Sequence, residues 1–183
     1  MKKHPSSPSV DISDPTSAAP VATVTTTRSV AEVGPAPTVL ALDLEATLIS
    51  SAVSQFPRPL LFEFLQRCRV LFPRIVMFTT IEEERFRRIA QTLVGEGSAP
   101  AWFEQLEHVA WTGPTKDLAF VPGCTVADVL LVDDLAAYVH PTQKKNWVQV
   151  EPFEPPFSAH DRGLVRVLEE LERRALAATP PST

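Results

Sequence analysis

The sequence contains few cysteines. Only Cys68 and Cys124 occur in 183 residues, and both lie among apolar residues. Because they are far apart and no others are present, they form neither a disulfide framework nor a metal-ligand motif. We expect both to be buried, inert thiols, and this usage predicts a cytoplasmic protein.

Long apolar runs and an excess of basic residues are also absent. No run of about 18 apolar residues exists, which predicts no transmembrane helix and no membrane partner. The start, Met1-Lys2-Lys3-His4-Pro5, is not followed by the apolar region of a secretory signal. The net charge of -5 gives no basic footprint, so we expect nucleic acid to bind only as a phosphorylated end.

The length suits one domain with tails. Residues 1–37 are rich in Pro, Ser, Thr and Ala, and such a segment buries too little apolar surface to offset chain entropy. We therefore predict a disordered tail at 1–37, a folded domain at 38–176 and a second short disordered tail at 177–183.

Apolar periodicity predicts strands that alternate with helices. The predicted strands are 39–43, 75–78, 108–111, 129–132 and 147–150. The predicted helices are 59–72, a helix from Thr80 to about residue 95, 102–106 and 164–176. Thr80 and Glu83 have the spacing of a capping box at the start of the second of these helices. This alternation favours an α/β fold with a mostly parallel sheet and helices on both faces.

Polar residues follow three of the predicted strands. Asp43 ends the first, Thr79 follows the second, and Asp133-Asp134 ends another. A carboxylate at the end of a buried strand is costly unless it binds a metal or a partner, and ligands of open α/β sheets bind at the carboxyl ends of strands. We expect these residues to share one edge of the sheet with Lys116.

These residue types fit phosphoryl transfer. A carboxylate can form an aspartyl-phosphate, carboxylate oxygens suit Mg²⁺, and a lysine and a hydroxyl can orient phosphoryl oxygens. Taken alone, each residue has a structural alternative: a turn cap for Asp43, a helix start for Thr79, a solvated side chain for Lys116 and a solvated turn for Asp133-Asp134. Their joint occurrence favours the site.

The motifs resemble the haloacid dehalogenase superfamily, and most of all its branch of RNA polymerase C-terminal-domain phosphatases and NLI-interacting-factor proteins. The segment Leu42-Asp43-Leu44-Glu45-Ala46-Thr47-Leu48 resembles that branch's Leu-Asp-Leu-Asp-Glu-Thr-Leu. Further similar segments are Arg58-Pro59, Phe78-Thr79, Lys116-Asp117-Leu118, Val132-Asp133-Asp134 and Tyr138-Val139-His140-Pro141. The resemblance covers roughly residues 39 to 175 and implies a three-layer, Rossmann-like α/β/α fold.

The resemblance also implies a Mg²⁺ site and a nucleophile. Asp43 would be the nucleophile and a metal ligand. Glu45 would give its backbone carbonyl to the metal and its side chain as general acid and base. Asp134 would complete the metal site, and Asp133 would orient Lys116 or a metal-bound water.

The phosphoryl group would be held by Thr79 and Lys116, and Thr80 is a further expected substrate contact. A response-regulator receiver also uses Asp, Thr and Lys around Mg²⁺. Receivers place their acidic pair first in the chain, whereas Asp133-Asp134 comes last here, which favours the phosphatase.

The chain departs from the family pattern at two places. Glu45 stands where the branch has a second aspartate, so its carboxyl group reaches about one methylene further. It could be a slower acid, an acid tuned to another leaving group, or a remnant in a non-catalytic domain. Only Leu48 to Pro57 fills the gap that holds a small sheet insertion in the polymerase phosphatases, and we expect a capless, open site.

The expected function is a Mg²⁺-dependent phosphatase acting on a large or exposed phosphorylated substrate, such as a phosphoprotein. The alternative is a catalytically weak or inactive module that binds a phosphorylated partner. Neither the substrate nor the oligomeric state follows from these motifs.

Overall fold

The computed structural model describes residues 36–177, so the tails predicted at 1–37 and 177–183 lie outside the described residues except at their inner ends. Within this range the strands are β1 Val39–Leu42, β2 Arg74–Met77, β3 Glu107–His108, β4 Val129–Asp133 and β5 Trp147–Gln149. The α-helices are α1 Leu61–Leu71, α2 Glu83–Gly95 and α3 Gly163–Ala177, and a short 3-10 helix at Ala101–Gln105 corresponds to the helix predicted at 102–106. None of the helices between residues 36 and 177 is long and apolar enough to cross a membrane.

The five strands form one parallel sheet in the order β3-β2-β1-β4-β5. β1 occupies the centre, where both faces are covered, and its sequence Val-Leu-Ala-Leu is accordingly apolar at every position. Leu42 is in register with Met77 of β2 and with Val132 of β4. The residues that follow these three positions therefore emerge side by side at one edge, and the predicted α/β fold with a parallel sheet is confirmed.

The two faces of the sheet are covered differently. Leu40 and Leu42 point into a large apolar cluster to which all three α-helices contribute, whereas Val39 and Ala41 face a smaller one. Part of the smaller cluster comes from the short 3-10 segments Leu118–Phe120 and Val126–Asp128 and their flanks. Helical segments thus cover both faces, but the long ones share a single face.

The capping box predicted at Thr80 and Glu83 is wrong. α2 begins at Glu83 with Glu82 as its N-cap, and no side-chain hydrogen bond caps it. The Thr79 hydroxyl instead accepts a hydrogen bond from the Ile81 amide at 3.3 Å, which stabilises a turn before the helix. Thr80 is therefore exposed in this turn rather than engaged in a cap.

The two cysteines differ in environment. Cys68 is fully buried on α1, and burial raises the pKa of its thiol, as expected for an inert residue. Cys124 is only half-buried, so the prediction of burial holds for one cysteine and not fully for the other.

Candidate active site

The centre of the polar edge is a buried lysine between two aspartates. The Lys116 ammonium donates to Asp43 Oδ1 and to Asp133 Oδ2, both at 2.6 Å. Although burial alone would lower the pKa of Lys116, the charges of Asp43 and Asp133 raise it above its ordinary value, so the side chain remains a cation. Its backbone is held by a hydrogen bond from Lys116 N to the Tyr138 carbonyl at 2.7 Å.

Both carboxylate oxygens of Asp133 accept hydrogen bonds from the protein. One carboxylate oxygen accepts from Lys116 and the other from the Leu135 amide at 2.8 Å, while the Trp147 indole donates to the Asp133 carbonyl at 2.8 Å. Burial, opposed by Lys116 and reinforced by the negative charge of Asp43, raises the pKa of Asp133 to about 6. The geometry suits a residue that orients Lys116.

Asp134 lies beside this pair in a more accessible position. Its Oδ1 accepts from the Thr47 hydroxyl at 3.1 Å, and burial together with the Asp43 charge raises its pKa. Asp43, Asp133 and Asp134 each offer a carboxylate oxygen, and these three oxygens lie within 4.8 Å of one another. Such an oxygen-only donor set fits a hard divalent cation. Because both oxygens of Asp133 already accept hydrogen bonds, Asp43 and Asp134 are the better-placed ligands.

A cavity of about 220 Å³ opens over this group. Its lining comprises Asp43, Glu45, Ala46, Thr80, Asp133, Asp134, Leu135 and Tyr138. Thr79 is buried next to it, and its carbonyl accepts a hydrogen bond from the Trp111 indole at 2.9 Å. Six of the seven residues predicted for the site are therefore within the lining or in direct contact with it, and Thr79 adjoins Thr80.

The Glu45 carboxylate is held by the short loop that follows it. Glu45 Oε1 accepts a hydrogen bond from the Ala52 amide at 2.6 Å. Ile49 forms bridges with both Glu45 and Pro57, so residues 48–57 fold back beside the site. Ala46, the residue after Glu45, has a φ of 54°, which turns the chain sharply away from β1.

The sequence-based prediction assigned no role to Thr47, Tyr138 or Arg58, although all three lie in the motifs that carry the resemblance. Thr47 binds Asp134, and the Tyr138 ring lies 5.6 Å from the Lys116 ammonium, where it can stabilise the positive charge. The available signal was that each is a polar residue within one of these motifs. Their contacts, however, join segments distant in sequence.

Arg58 stabilises the turn that follows β1. Its buried guanidinium donates to the Thr47 carbonyl at 3.2 Å and to both oxygens of Asp161, at 2.7 and 3.1 Å. Partial burial opposes ionisation of Asp161, but Arg58 and the Gly163 amide hold the pKa of Asp161 below its usual value. The ion pair thus fastens the site turn to the start of α3.

Gly163→Ala is expected to destabilise the protein. A Cβ at Gly163 would lie 2.0 Å from Arg58 Nη2, and the buried Arg58 side chain has little room to move. We expect a loss of about 1–3 kcal/mol in the free energy of unfolding, measured by urea denaturation. Gly95→Ala is the matched control because nothing lies within 4 Å of its Cβ position. Equal midpoints for both variants would contradict the expected crowding at Arg58.

Comparison with known proteins gives one family. Residues 38–179 match the model of the family described as NLI interacting factor-like phosphatase. No curated protein matches the chain significantly.

Proposed function

The chain belongs to the NLI interacting factor-like phosphatase family, and from this premise we propose that it is a Mg²⁺-dependent phosphatase acting through a phosphorylated Asp43. Family membership confirms the resemblance seen in the motifs. The observation that carries the proposal is the buried Lys116 between Asp43 and Asp133, next to Asp134 and beneath an open cavity. A permanent cation beside a carboxylate that lines the cavity is suited to bind phosphate at that carboxylate.

In this proposal Asp43, Asp134 and the backbone carbonyl of Glu45 hold Mg²⁺, with Asp133 behind Lys116. When bound, Mg²⁺ supplies positive charge that offsets the negative charge of the phosphoryl oxygens. Lys116 contributes a second positive charge, since its ammonium donates a hydrogen bond to Asp43 Oδ1. With Mg²⁺ bound, the positive charge at the site would reduce the repulsion between the Asp43 carboxylate and an anionic phosphate.

The chemistry has two steps. The Asp43 carboxylate attacks phosphorus, the bond from phosphorus to the leaving oxygen breaks, and the proton of Glu45 passes to that oxygen. A water then attacks the phosphorus of phosphoryl-Asp43 and gives its proton to Glu45, and the bond to Asp43 breaks. Thr79, Thr80 and Lys116 orient the phosphoryl oxygens in both steps. The products are inorganic phosphate and an alcohol, and both carboxyl groups return to their starting states.

The substrate we propose is a phosphate on a large molecule, such as a phosphoprotein. The cavity of about 220 Å³ is smaller than the roughly 300–1,000 Å³ of pockets that enclose whole small ligands, so most of a large substrate would lie outside it. Residues 48–57 form only a short loop beside the site, and the described residues between the motifs contain no cap domain. An uncovered phosphate site suits a substrate too large to be enclosed.

A second candidate is a module that binds phosphorylated partners without turnover. The observation that favours it is Glu45 itself, which stands where the resemblance leads us to expect an aspartate and carries its carboxyl group one methylene further from the backbone. Stable binding of Mg²⁺ and beryllium fluoride, with no hydrolysis of any of a broad panel of phosphorylated substrates, would support this alternative. Turnover of any of them would exclude it.

Metal removal tests the proposed function directly. We expect hydrolysis of p-nitrophenyl phosphate to stop in EDTA and to return with excess Mg²⁺. The Mg²⁺ affinity should fall as pH is lowered, because burial and the charge of Asp43 raise the pKa of the proposed ligand Asp134 and a metal ligand must lose its proton. Calorimetry at about pH 5.5 and about pH 7.5 measures the affinity and the released protons. Unchanged hydrolysis in EDTA would contradict the proposal.

Glu45→Gln should separate the two chemical steps. Nitrophenolate leaves without a proton, so p-nitrophenyl phosphate should still give a burst of one equivalent of product. The following turnover should slow by about 100-fold or more, since the base for the second step is lost. A phosphoserine peptide, whose alkoxide leaving group needs a proton, should show no burst.

The control for this variant is Glu154→Gln, an exposed glutamate outside the cavity lining. It should behave as wild type with both substrates. Normal steady-state turnover of both substrates by Glu45→Gln would show that Glu45 is not the acid and base.

A further inference from the structure

Arg85 connects α2 to the loop that holds Glu45. Arg85 is exposed, yet its Nη2 donates to the Ala52 carbonyl at 3.1 Å. The amide of the same residue, Ala52, donates to Glu45 Oε1 at 2.6 Å. One residue of the loop is therefore held by the helix on one side and holds the Glu45 carboxylate on the other.

The other arginine exposed on this helix behaves differently. Arg88 pairs with Glu84 one turn earlier on α2, a solvent-exposed contact of the kind that contributes little. Arg85 has Ile81 four residues before it and Glu82 three residues before it, and its guanidinium contacts the Ala52 carbonyl of the loop. Of the two exposed arginines on α2, Arg85 contacts Ala52 and Arg88 does not.

The Ala52 amide can decide which oxygen of Glu45 carries a proton. Oε1 accepts the amide hydrogen, so a proton on the carboxyl group belongs on Oε2. Glutamate also has one more rotatable bond than aspartate, and the amide restricts that added freedom. Since Glu45 lines the cavity, the contact presents a defined acid to a leaving oxygen there.

We propose that Arg85 is a positioning residue for proton transfer, which acts by holding Ala52 so that its amide orients the Glu45 carboxyl group. The inference rests on the proposed function of Glu45. It predicts that, in the first chemical step, loss of Arg85 slows only the substrate whose leaving oxygen needs the proton. In that step the bond from Asp43 to phosphorus forms, the bond from phosphorus to the leaving oxygen breaks, and the Glu45 proton passes to that oxygen.

The test compares two substrates in Arg85→Ala, Arg85→Lys and Arg88→Ala. For Arg85→Ala we expect the single-turnover rate on a phosphoserine peptide to fall by about 10- to 100-fold, as misplacement of a catalytic group commonly does. The burst rate with p-nitrophenyl phosphate should change by less than about twofold, because that leaving group needs no acid. Arg85→Lys, which keeps a donor, should recover part of the peptide rate, and Arg88→Ala should match wild type.

A second readout does not depend on catalysis. The ¹H–¹⁵N resonance of the Ala52 amide should shift in Glu45→Gln and in Arg85→Ala, and remain in place in Arg88→Ala. The positioning role would be overturned if Arg85→Ala lowered the single-turnover rate on the peptide and the burst rate with p-nitrophenyl phosphate by equal factors. An Ala52 resonance that does not shift in Arg85→Ala would overturn it as well. If Glu45→Gln hydrolyses the peptide normally, the proposed role of Glu45 fails instead, while an Ala52 shift in Arg85→Ala still establishes the contact.

Discussion

Asp43→Asn should abolish the Mg²⁺-dependent phosphatase activity. An amide cannot form the acyl-phosphate bond and is a weaker metal ligand, so we expect kcat to fall on the order of 10⁴-fold or more, as when other nucleophiles are removed. The fold should survive because Asn is isosteric and Lys116 keeps its contact with Asp133 at 2.6 Å. Steady-state hydrolysis of p-nitrophenyl phosphate measures the loss, and circular dichroism verifies folding.

The same substitution at the other end of β4 is the control. Asp128 precedes β4, accepts hydrogen bonds from Thr125 and lies at the sheet edge opposite Asp133. Asp128→Asn should retain wild-type activity with a small loss of stability. A rate for Asp43→Asn equal to that of wild type would exclude Asp43 as the nucleophile.

Lys116→Met should cost both stability and activity. It leaves the buried carboxylates of Asp43 and Asp133 without the cation that now lies 2.6 Å from each. Breaking a buried ion pair from one side costs about 3–5 kcal/mol, and removing a donor that stabilises the transition state costs about 100- to 1,000-fold in rate. Urea denaturation in EDTA measures the first effect and a phosphatase assay at a temperature where the variant is folded measures the second.

The stability loss in Lys116→Met should depend on pH. Without the ammonium, Lys116 no longer opposes burial and the charge of Asp43, so the folded pKa of Asp133 lies still further above its unfolded value and the folded state binds a proton more tightly. Its stability is then greatest at low pH and decreases as pH rises through the raised pKa. The difference from wild type should therefore be larger at about pH 8 than at about pH 5. Lys144→Met, at an exposed lysine, should show neither effect.

Local patterns predicted the parallel sheet better than they predicted the start of α2. The apolar runs of β1, β2 and β4 are buried on both faces, and a strand of that kind has few alternatives. Thr80 and Glu83 satisfied a local rule, yet the turn after β2 continues to Glu82 before the helix begins. The hydroxyl of Thr79, one residue earlier, stabilises that turn, and the competing contact was not visible in the spacing.

The positions of the candidate site residues in the chain were sufficient to place them at one edge. Asp43 and Asp133-Asp134 follow or end buried strands, and parallel strands carry their ends to the same side. The types of residue then indicated phosphoryl chemistry before any distance was known. This part of the site depends on the parallel direction of the strands, which the alternation of strands and helices predicts.

The tertiary structure alone decided which atoms are paired. Lys116 could have been a solvated lysine, but folding buries it between Asp43 and Asp133, 73 and 17 residues away. Arg58 reaches Asp161 across 103 residues, and Arg85 reaches Ala52 across 33. Such contacts depend on the packing of whole elements rather than on local propensity, because a buried charge is stable only where distant segments supply its partners. The sequence by itself thus determined the sheet, the polar edge and the chemical types at that edge, whereas packing determined the charge pairing and the orientation of Glu45.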